Sequence, residues 1–348
     1  MQPPSAQAAV IESENALLER LTRPSTQLVE LIKTLPSPLL VLGAGGKMGP
    51  TLCALAKRAA EQAGSKLRVV AVSRFTDAPV RQWLESRGVE TLSADLLDRQ
   101  AVQQLPDAAN VIHLTGLKFG TAANPALTWA TNTVSPMLAA ERFAGSRIVA
   151  LSTGNVYPLV PVASGGAAED HPLTPLGEYG NAAVARERIC EYFSQRNRTP
   201  IALIRLNFAV ELRYGVLSDI ARRVWGGEPI DVSNGHFNCI WQGDANDMIL
   251  RSLALTSSPA QAWNLSSPSA LRVRDVAERF AKIFTKPARL TGTEARDAFI
   301  CNTSKLCARL GPPPTPLDQA IEWTAHWLQN GGVLWNKSTH FEVRDGAY

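Results

Sequence analysis

The tightest constraint on the fold is a glycine run: Gly43-x-x-Gly46-x-x-Gly49 follows the apolar stretch Leu39-Leu40-Val41-Leu42 directly and opens a helical pattern from Pro50 to Ala63. Strand, tight turn and helix thus come in the order that a dinucleotide needs. Glycine lets such a turn reach dihedrals and approach distances that a Cβ would block. The exposed amides and the positive dipole at the start of the following helix then suit a pyrophosphate. On this reading Gly43, Gly46, Lys47, Met48 and Gly49 carry a cofactor. Glycine-rich turns also occur in other settings, so the weight falls on what surrounds the run.

What surrounds it is an alternation of strand and helix from Pro38 to about Leu206. Candidate strands are Leu39 to Leu42, Leu67 to Val72, Val89 to Ser93, Val111 to Leu114, Arg147 to Leu151 and Ile201 to Leu206, each short and rich in branched residues. The segments between them read as helices. Such alternation predicts the α/β class, a Rossmann-like doubly wound parallel sheet whose ligand sits at the carboxyl ends of the strands. Past Asn207 the alternation weakens, although helices at Val273 to Phe284 and Leu317 to Leu328 stay visible. The expected organisation is an N-terminal helical extension over residues 1–36, a dinucleotide-binding domain over 37–206, and 207–348 as mainly a smaller substrate-binding lid and tail. Within the extension, Met1 to Ala9 is expected to be disordered. Ile11, Leu17, Leu18 and Leu21, then Leu28, Leu31 and Ile32, recur at helical spacing on either side of Pro24-Ser25, and should pack on the main body or on another subunit.

Composition narrows the class of function. The 348 residues are 45% hydrophobic and 19% charged, enough for a large core. A net charge of +4 without any block of Lys or Arg gives no reason to expect nucleic acid or a membrane surface as partner; a small anionic ligand suffices. Cys53, Cys190, Cys239, Cys301 and Cys307 are odd in number and scattered, so neither a disulfide framework nor a metal site is expected. The N-terminus lacks the basic start and apolar core of a signal peptide, and no apolar run approaches membrane-spanning length, so a cytoplasmic location is expected.

Further motifs follow in order. Ala94-Asp95-Leu96 comes after the third strand and Ile112-His113-Leu114-Thr115-Gly116 ends the fourth. Then come Thr131-Asn132, Leu151-Ser152-Thr153-Gly154-Asn155-Val156-Tyr157, Glu178-Tyr179-Gly180, Arg205-Leu206-Asn207, Gly227-Glu228-Pro229-Ile230 and Trp263-Asn264-Leu265. Together with the glycine spacing, this series resembles the extended short-chain dehydrogenase/reductase superfamily, the group of nucleotide-sugar epimerases and dehydratases, over roughly residues 37 to 330.

The resemblance implies that Asp95 and Leu96 lie at the adenine, that Leu114, Thr115, Gly116 and Asn132 help hold the cofactor, and that Tyr179 belongs to both cofactor and reaction. Thr153 would hydrogen-bond a substrate oxygen and Tyr179 would exchange a proton with it, while a nicotinamide exchanges hydride with the adjacent carbon. Thr153 as a strand cap and Tyr179 as a packed aromatic are the alternatives. At the end of the second strand, where NAD-preferring relatives place an acid, Ser73-Arg74 offers a hydroxyl and a guanidinium to a 2′-phosphate, favouring NADP while leaving NAD possible.

Two departures matter. Four residues after Tyr179 stands Ala183, where the family has a lysine that binds ribose and lowers the tyrosine pKa. A cation near 4 Å at an effective dielectric of 20 is worth at most about 4 kcal/mol, or about three pKa units. Its loss hurts oxidation more than reduction, which needs only a neutral tyrosine. Arg186 lies on the inward stripe of the same helix one turn on, and its stem leans back toward the missing group; it alternatively snorkels to solvent or pairs with an acid. Lys118 is a second candidate cation. The other departure is at Phe237 and Asn238, where nucleotide-sugar enzymes carry an Arg-Asp pair ahead of an aspartate (here Asp244). A small polar substrate follows, such as a free sugar, a sugar acid or a similar polyhydroxy carbonyl compound. Its contacts would come from some of Lys118, Asn155, Asn207, Arg213, Asn238 and Trp241, the last two being alternatively ordinary strand residues. The expected function is NADP-linked oxidoreduction; transient oxidation in an epimerase or dehydratase, and a non-catalytic NADP-binding sensor or structural subunit, are the rivals. By analogy with the family, the expected assembly is a homodimer.

Overall fold

The computed structural model describes residues 10–118, 120 and 123–347; the Met1–Ala9 expectation lies outside the described residues. Seven strands, β1 (Leu39–Leu42), β2 (Val69–Ser73), β3 (Glu90–Ser93), β4 (Asn110–His113), β5 (Arg147–Thr153), β6 (Ile201–Leu206) and β7 (Gln261–Leu265), form one sheet. All pair in parallel, in the order β3-β2-β1-β4-β5-β6-β7. Leu39 of β1 aligns with Val69 on one side and Asn110 on the other. The order reverses between β1 and β4, and a crevice opens at the carboxyl ends there.

Twelve helices are described: α1 (Glu14–Leu21), α2 (Thr26–Thr34), α3 (Gly49–Gln62), α4 (Ala78–Glu85), α5 (Arg99–Gln103), α6 (Pro125–Arg142), α7 (Gly177–Asn197), α8 (Val216–Gly226), α9 (Gln242–Arg251), α10 (Val273–Phe284), α11 (Ser304–Leu310) and α12 (Leu317–Gln329). Every residue of β1 is buried, because both faces of the sheet are covered. Leu39 and Val41 pack with Leu52, Leu55 and Ala56 of α3 and Met248 and Ile249 of α9, whereas Leu40 and Leu42 pack with Leu138 and Ala139 of α6 and Cys190 of α7. The residues past β6 build a further core from Leu217 and Ile220 of α8, Phe280 of α10, and Ile321 and Trp323 of α12.

The N-terminal extension packs on this body and joins two cores. Leu17 and Leu21 of α1 enter the C-terminal core, while Leu28 and Ile32 of α2 enter the sheet core. Ser25, after the Pro24 break, starts α2: its hydroxyl accepts from Leu28 N at 3.1 Å. Its own amide and hydroxyl donate to Asp247 of α9, each at 3.0 Å.

The main departure from the expected strand set is β7, which returns from beyond residue 206 to pair with β6, Gln261 opposite Ala202. Its alternation is masked because Asn264 is fully buried and polar. The Asn264 amide donates to the Ala167 and Asn302 carbonyls, both at 2.9 Å, and its oxygen accepts from Tyr157 at 2.8 Å. A buried polar group satisfied in this way carries no hydrophobic signal. No described helix is long and apolar enough to cross a membrane.

Candidate active site

The glycine turn sits at the β1/β4 switch point. Gly43 has φ +83°, and a Cβ there would lie 2.8 Å from Thr115 Oγ1 and 2.9 Å from Thr115 N, so the turn after β1 and the loop after β4 touch. At Gly49 a Cβ would meet the Ala44 backbone, which seats the start of α3 against the turn. Gly46 is open by comparison: a Cβ would meet only the Gly43 carbonyl, at 3.5 Å. No side chain caps the first turn of α3, whose N-terminal amides face the crevice end of the sheet. Thr115 Oγ1 is buried and lacks a hydrogen-bond partner among the described residues. An open turn, an uncapped helix start and an orphaned hydroxyl fit a dinucleotide phosphate. Gly45, passed over by the G-x-x-G spacing, is equally constrained, with a Cβ falling 2.6 Å from Ser73 Oγ.

Around this turn, Ser73 is half-buried at the end of β2 and Arg74 is exposed. Asp95 is exposed after β3, its carboxylate accepting from Leu97 N at 3.0 Å, and Leu96 is buried behind it. Asn132 of α6 is buried and donates to the Leu117 carbonyl at 3.0 Å and the Thr128 carbonyl at 2.8 Å, tying down the loop after Leu114. Arg186 reaches back as its position on α7 suggests: Nη1 donates to the Leu151 carbonyl at 2.5 Å and Nη2 to Asn132 Oδ1. A Cβ on Gly116 would lie 3.0 Å from Nη2, so the guanidinium supports the loop from beneath. It neither snorkels nor pairs with an acid among the described residues, being 3% exposed. His113 is buried on Ser135 at 3.0 Å, and burial with Arg186 nearby pulls its pKa down to about 3, leaving it neutral.

Thr153, Tyr179, Asn155, Asn207 and Lys118 line one cleft with Lys47 and Met48 of the glycine turn. Thr153 ends β5 at the cleft floor; Oγ1 donates to Asn155 Oδ1 at 3.1 Å and accepts from Asn155 N at 3.2 Å, so it caps the short turn after the strand while facing the cleft. Tyr179 stands in the first turn of α7, 8% exposed. Ala183, one turn on, packs with Val156, Tyr157, Ala298 and Ile300, an apolar setting for any residue there. Lys118 Nζ lies 6.0 Å from the Tyr179 ring centre and 5.3 Å from that of Phe208. Lys47 crosses the cleft, donating to the Ala209 carbonyl at 2.5 Å and resting 4.5 Å over Tyr214. Burial lowers both lysine pKa values to about 8, with Lys47 adding to the shift of Lys118.

Three expected substrate contacts are placed elsewhere. Arg213 pairs with Glu211 at 3.2 Å and stacks on Trp335 at 4.7 Å. Asn238 is buried, accepting from Asn207 at 2.9 Å and donating to the Cys301 carbonyl at 2.8 Å, so it fixes Asn207 from behind. Trp241, inside the apolar Cys239-Ile240-Trp241 segment, packs edge-on to Trp323 at 5.2 Å in the C-terminal core. Conversely, sequence reasoning passed over Phe208, Tyr214 and Thr339, which line the cleft, and Glu187, fully buried on α7. Glu187 accepts from Ser152 at 2.5 Å and from Arg205 at 2.7 Å, and Arg205 donates to Tyr157 at 2.6 Å. This network fixes β5, β6 and α7 beside Thr153. A charged Glu at an inward helical position was its one sequence signal.

Fold and site define a dinucleotide-binding enzyme of the short-chain dehydrogenase/reductase kind. A sequence model of the NAD dependent epimerase/dehydratase family matches residues 39–232, and the chain belongs to that family. No curated protein matches the sequence. Among solved structures, the chain is similar to UDP-glucose 4-epimerase of Thermotoga maritima with UDP-glucose, at 17% identity over 84% of this chain and 98% of that one, TM-score 0.69. It is similar to the NAD complex of UDP-glucose 4-epimerase of Thermus thermophilus, at 20% identity over 84% and 99%, TM-score 0.67. A third is the NAD complex of dTDP-glucose 4,6-dehydratase of Bacillus anthracis, at 13% identity over 85% and 97%, TM-score 0.71.

Proposed function

We propose that this enzyme exchanges a hydride between NADP and a hydroxyl or carbonyl carbon of a small polar substrate, with Tyr179 moving the proton and Thr153 orienting the reacting oxygen. The observation that carries this reading is that Thr153 and Tyr179 line one cleft whose far wall is the glycine turn itself, through Lys47 and Met48. Gly43, Gly45, Gly46, Gly49 and Thr115 would hold the phosphates, Asp95 and Leu96 the adenine, and Ser73 with exposed Arg74 a 2′-phosphate. The bound nicotinamide supplies the hydride chemistry. In the reducing direction the Tyr179 hydroxyl gives its proton to the carbonyl oxygen, which Thr153 holds, and the carbonyl becomes an alcohol. With Ala183 in place of a lysine, this direction is the less impaired.

Small size is supported by the cleft volume, about 180 Å³, below the roughly 300–1,000 Å³ of sites for drug-sized ligands. It is supported too by the absence of the Arg-Asp pair: Phe237 is buried in the C-terminal core and Asn238 is spent on Asn207 and Cys301. The family name and the nucleotide-sugar enzymes of similar fold favour a second reading, epimerisation or dehydration through transient oxidation. The five unpaired cysteines favour a reducing compartment.

Calorimetric titration with NADPH and NADH, in parallel with Arg74→Asp, tests the cofactor. We expect tighter NADPH binding, weakened selectively in the variant. Tyr179→Phe tests the chemistry: turnover should fall by about 10²–10⁴-fold with cofactor affinity kept, and unchanged turnover would remove Tyr179 from the reaction. Product analysis separates net redox from epimerisation.

A further inference from the structure

Arg186 is a buried cation without a counter-charge. Its guanidinium is 3% exposed and pairs with no Asp or Glu among the described residues. It donates instead to two neutral oxygens, the Leu151 carbonyl at 2.5 Å and Asn132 Oδ1. Its third nitrogen, Nε, is buried and has no hydrogen-bond partner among the described residues. Glu187, next to it in the chain, is taken by Arg205 at 2.7 Å and by Ser152 at 2.5 Å. Buried charges are ordinarily paired, because an ion taken out of water loses its hydration.

The place of this charge is specific. Nη2 would lie 3.0 Å from a Cβ on Gly116, in the loop that meets Gly43 of the glycine turn through Thr115. Nη1 holds β5 two residues before Thr153. The guanidinium thus stands between the loop on which the cofactor would rest and the strand end that presents Thr153. Its field reaches the end of β4, where burial first and Arg186 second pull the His113 pKa down to about 3.

Resting on the cofactor reading above, we propose that Arg186 sets the redox preference of the site: its uncompensated charge, acting across Gly116, disfavours the oxidised nicotinamide, which is positively charged, relative to the neutral reduced form. Arg186 touches neither cofactor nor substrate; it is a positioning residue that acts through the loop and through its charge. The enzyme then holds NADPH more tightly relative to NADP+ than an uncharged site would. By the same linkage, the oxidising direction is eased, in which an alcohol's C–H hydride passes to the nicotinamide and its O–H proton to Tyr179. This offsets, on the cofactor side, part of what Ala183 costs on the tyrosine side. Two unit charges about 10 Å apart at an effective dielectric of about 20 change an equilibrium constant by about tenfold or more, which is about 30 mV in a two-electron couple.

The test is calorimetric titration of the full chain with NADPH, NADP+ and 2′-phospho-ADP-ribose, which lacks the nicotinamide; NADH, NAD+ and ADP-ribose take their place if the enzyme prefers them. Wild type is compared with Arg186→Gln, which keeps a donor but no charge, and with Arg186→Lys, which keeps the charge. The ratio of NADP+ to NADPH dissociation constants is the readout, because a distorted loop weakens both forms together whereas a lost charge changes only their ratio. We expect the ratio to fall about tenfold in Arg186→Gln and to recover in Arg186→Lys, with 2′-phospho-ADP-ribose bound equally by all three. Asn132→Asp leaves the guanidinium in place but gives it a counter-charge, and should lower the ratio likewise; it decides the matter if Arg186→Gln does not fold. An unchanged ratio, or parallel losses for NADPH and NADP+, would overturn the proposal and leave Tyr179-dependent turnover standing. Failure of wild type to bind any of these compounds would overturn the cofactor reading and this inference with it.

Discussion

At the scale of single residues, position 183 is where the resemblance to the family implies a lysine, and its surroundings explain why alanine is stable there. Ala183 is fully buried against Val156, Tyr157, Ala298 and Ile300, while the guanidinium one turn on is committed to Leu151 and Asn132. A lysine introduced at 183 would overpack this cluster and bring a second cation near Arg186. Ala183→Lys is therefore expected to destabilise the fold by about 1–3 kcal/mol in urea unfolding and to leave turnover no higher than wild type, whereas a gain in turnover would mean that the site tolerates the family's lysine. The same comparison shows what was legible at this scale. The inward placement of Arg186 followed from helical periodicity, but its partners did not, because the Leu151 carbonyl and Asn132 come from elements 35 and 54 residues away in sequence. The placements of Trp241 and Arg213 were not legible for a related reason: an aromatic or a guanidinium near a motif has the same identity whether it faces a cleft, as Tyr214 does, or a core, as Trp241 does.

At the scale of elements, the strands that the sequence marked most clearly are those buried on both faces; β1 and β6 have their expected bounds, as does the strongly amphipathic α10. β7 escaped because Asn264 spends its polarity internally. A comparable buried polar group on α9 has a pH consequence. Asp244 accepts from Thr315 N at 2.8 Å and Thr315 Oγ1 at 3.0 Å, fastening α9 to the chain entering α12. Burial outweighs those bonds and the nearby Arg20, raising its pKa from 3.8 to about 6. The folded state thus prefers the protonated acid, so this contribution is full below about pH 4 and is lost as pH rises through about 6. Two units correspond to about 3 kcal/mol. Unfolding free energies of wild type and Asp244→Asn should therefore converge or cross between pH 4 and pH 7, wild type losing stability relative to the variant; parallel curves would show that Asp244 is not perturbed.

At the scale of the whole molecule, the two ends of the described chain act on separate parts. The N-terminal helices fasten the sheet core to the C-terminal core and line no part of the cleft among the described residues. The residues after α12 run the other way, across the cleft wall: Trp335 stacks on Tyr214 at 6.0 Å, Thr339 bonds Asp219 and lines the cleft, and Phe341 is buried in the C-terminal core. Glu342 then pairs with Arg223 at 2.9 Å and Arg344 with Asp297 at 2.5 Å, and Gly346 meets the backbone at Leu176–Gly177, two residues before Tyr179. This segment is held by buried Phe341 and Thr339, by the Asn234 amide on the Phe341 carbonyl at 2.6 Å and by the two ion pairs, all outside the sheet core, and it lines the cleft through Thr339 and meets the start of the Tyr179 helix. Removing residues 334–348 should accordingly leave the thermal unfolding of the sheet core and NADPH affinity close to wild type. It should raise KM for small substrates by about tenfold or more as Thr339 and the Tyr214 packing are lost, and extend turnover to larger carbonyl compounds in a substrate-size series. If the truncated enzyme keeps both its KM and its size limit, the narrowness of the cleft must come from Phe208 and Tyr214 alone.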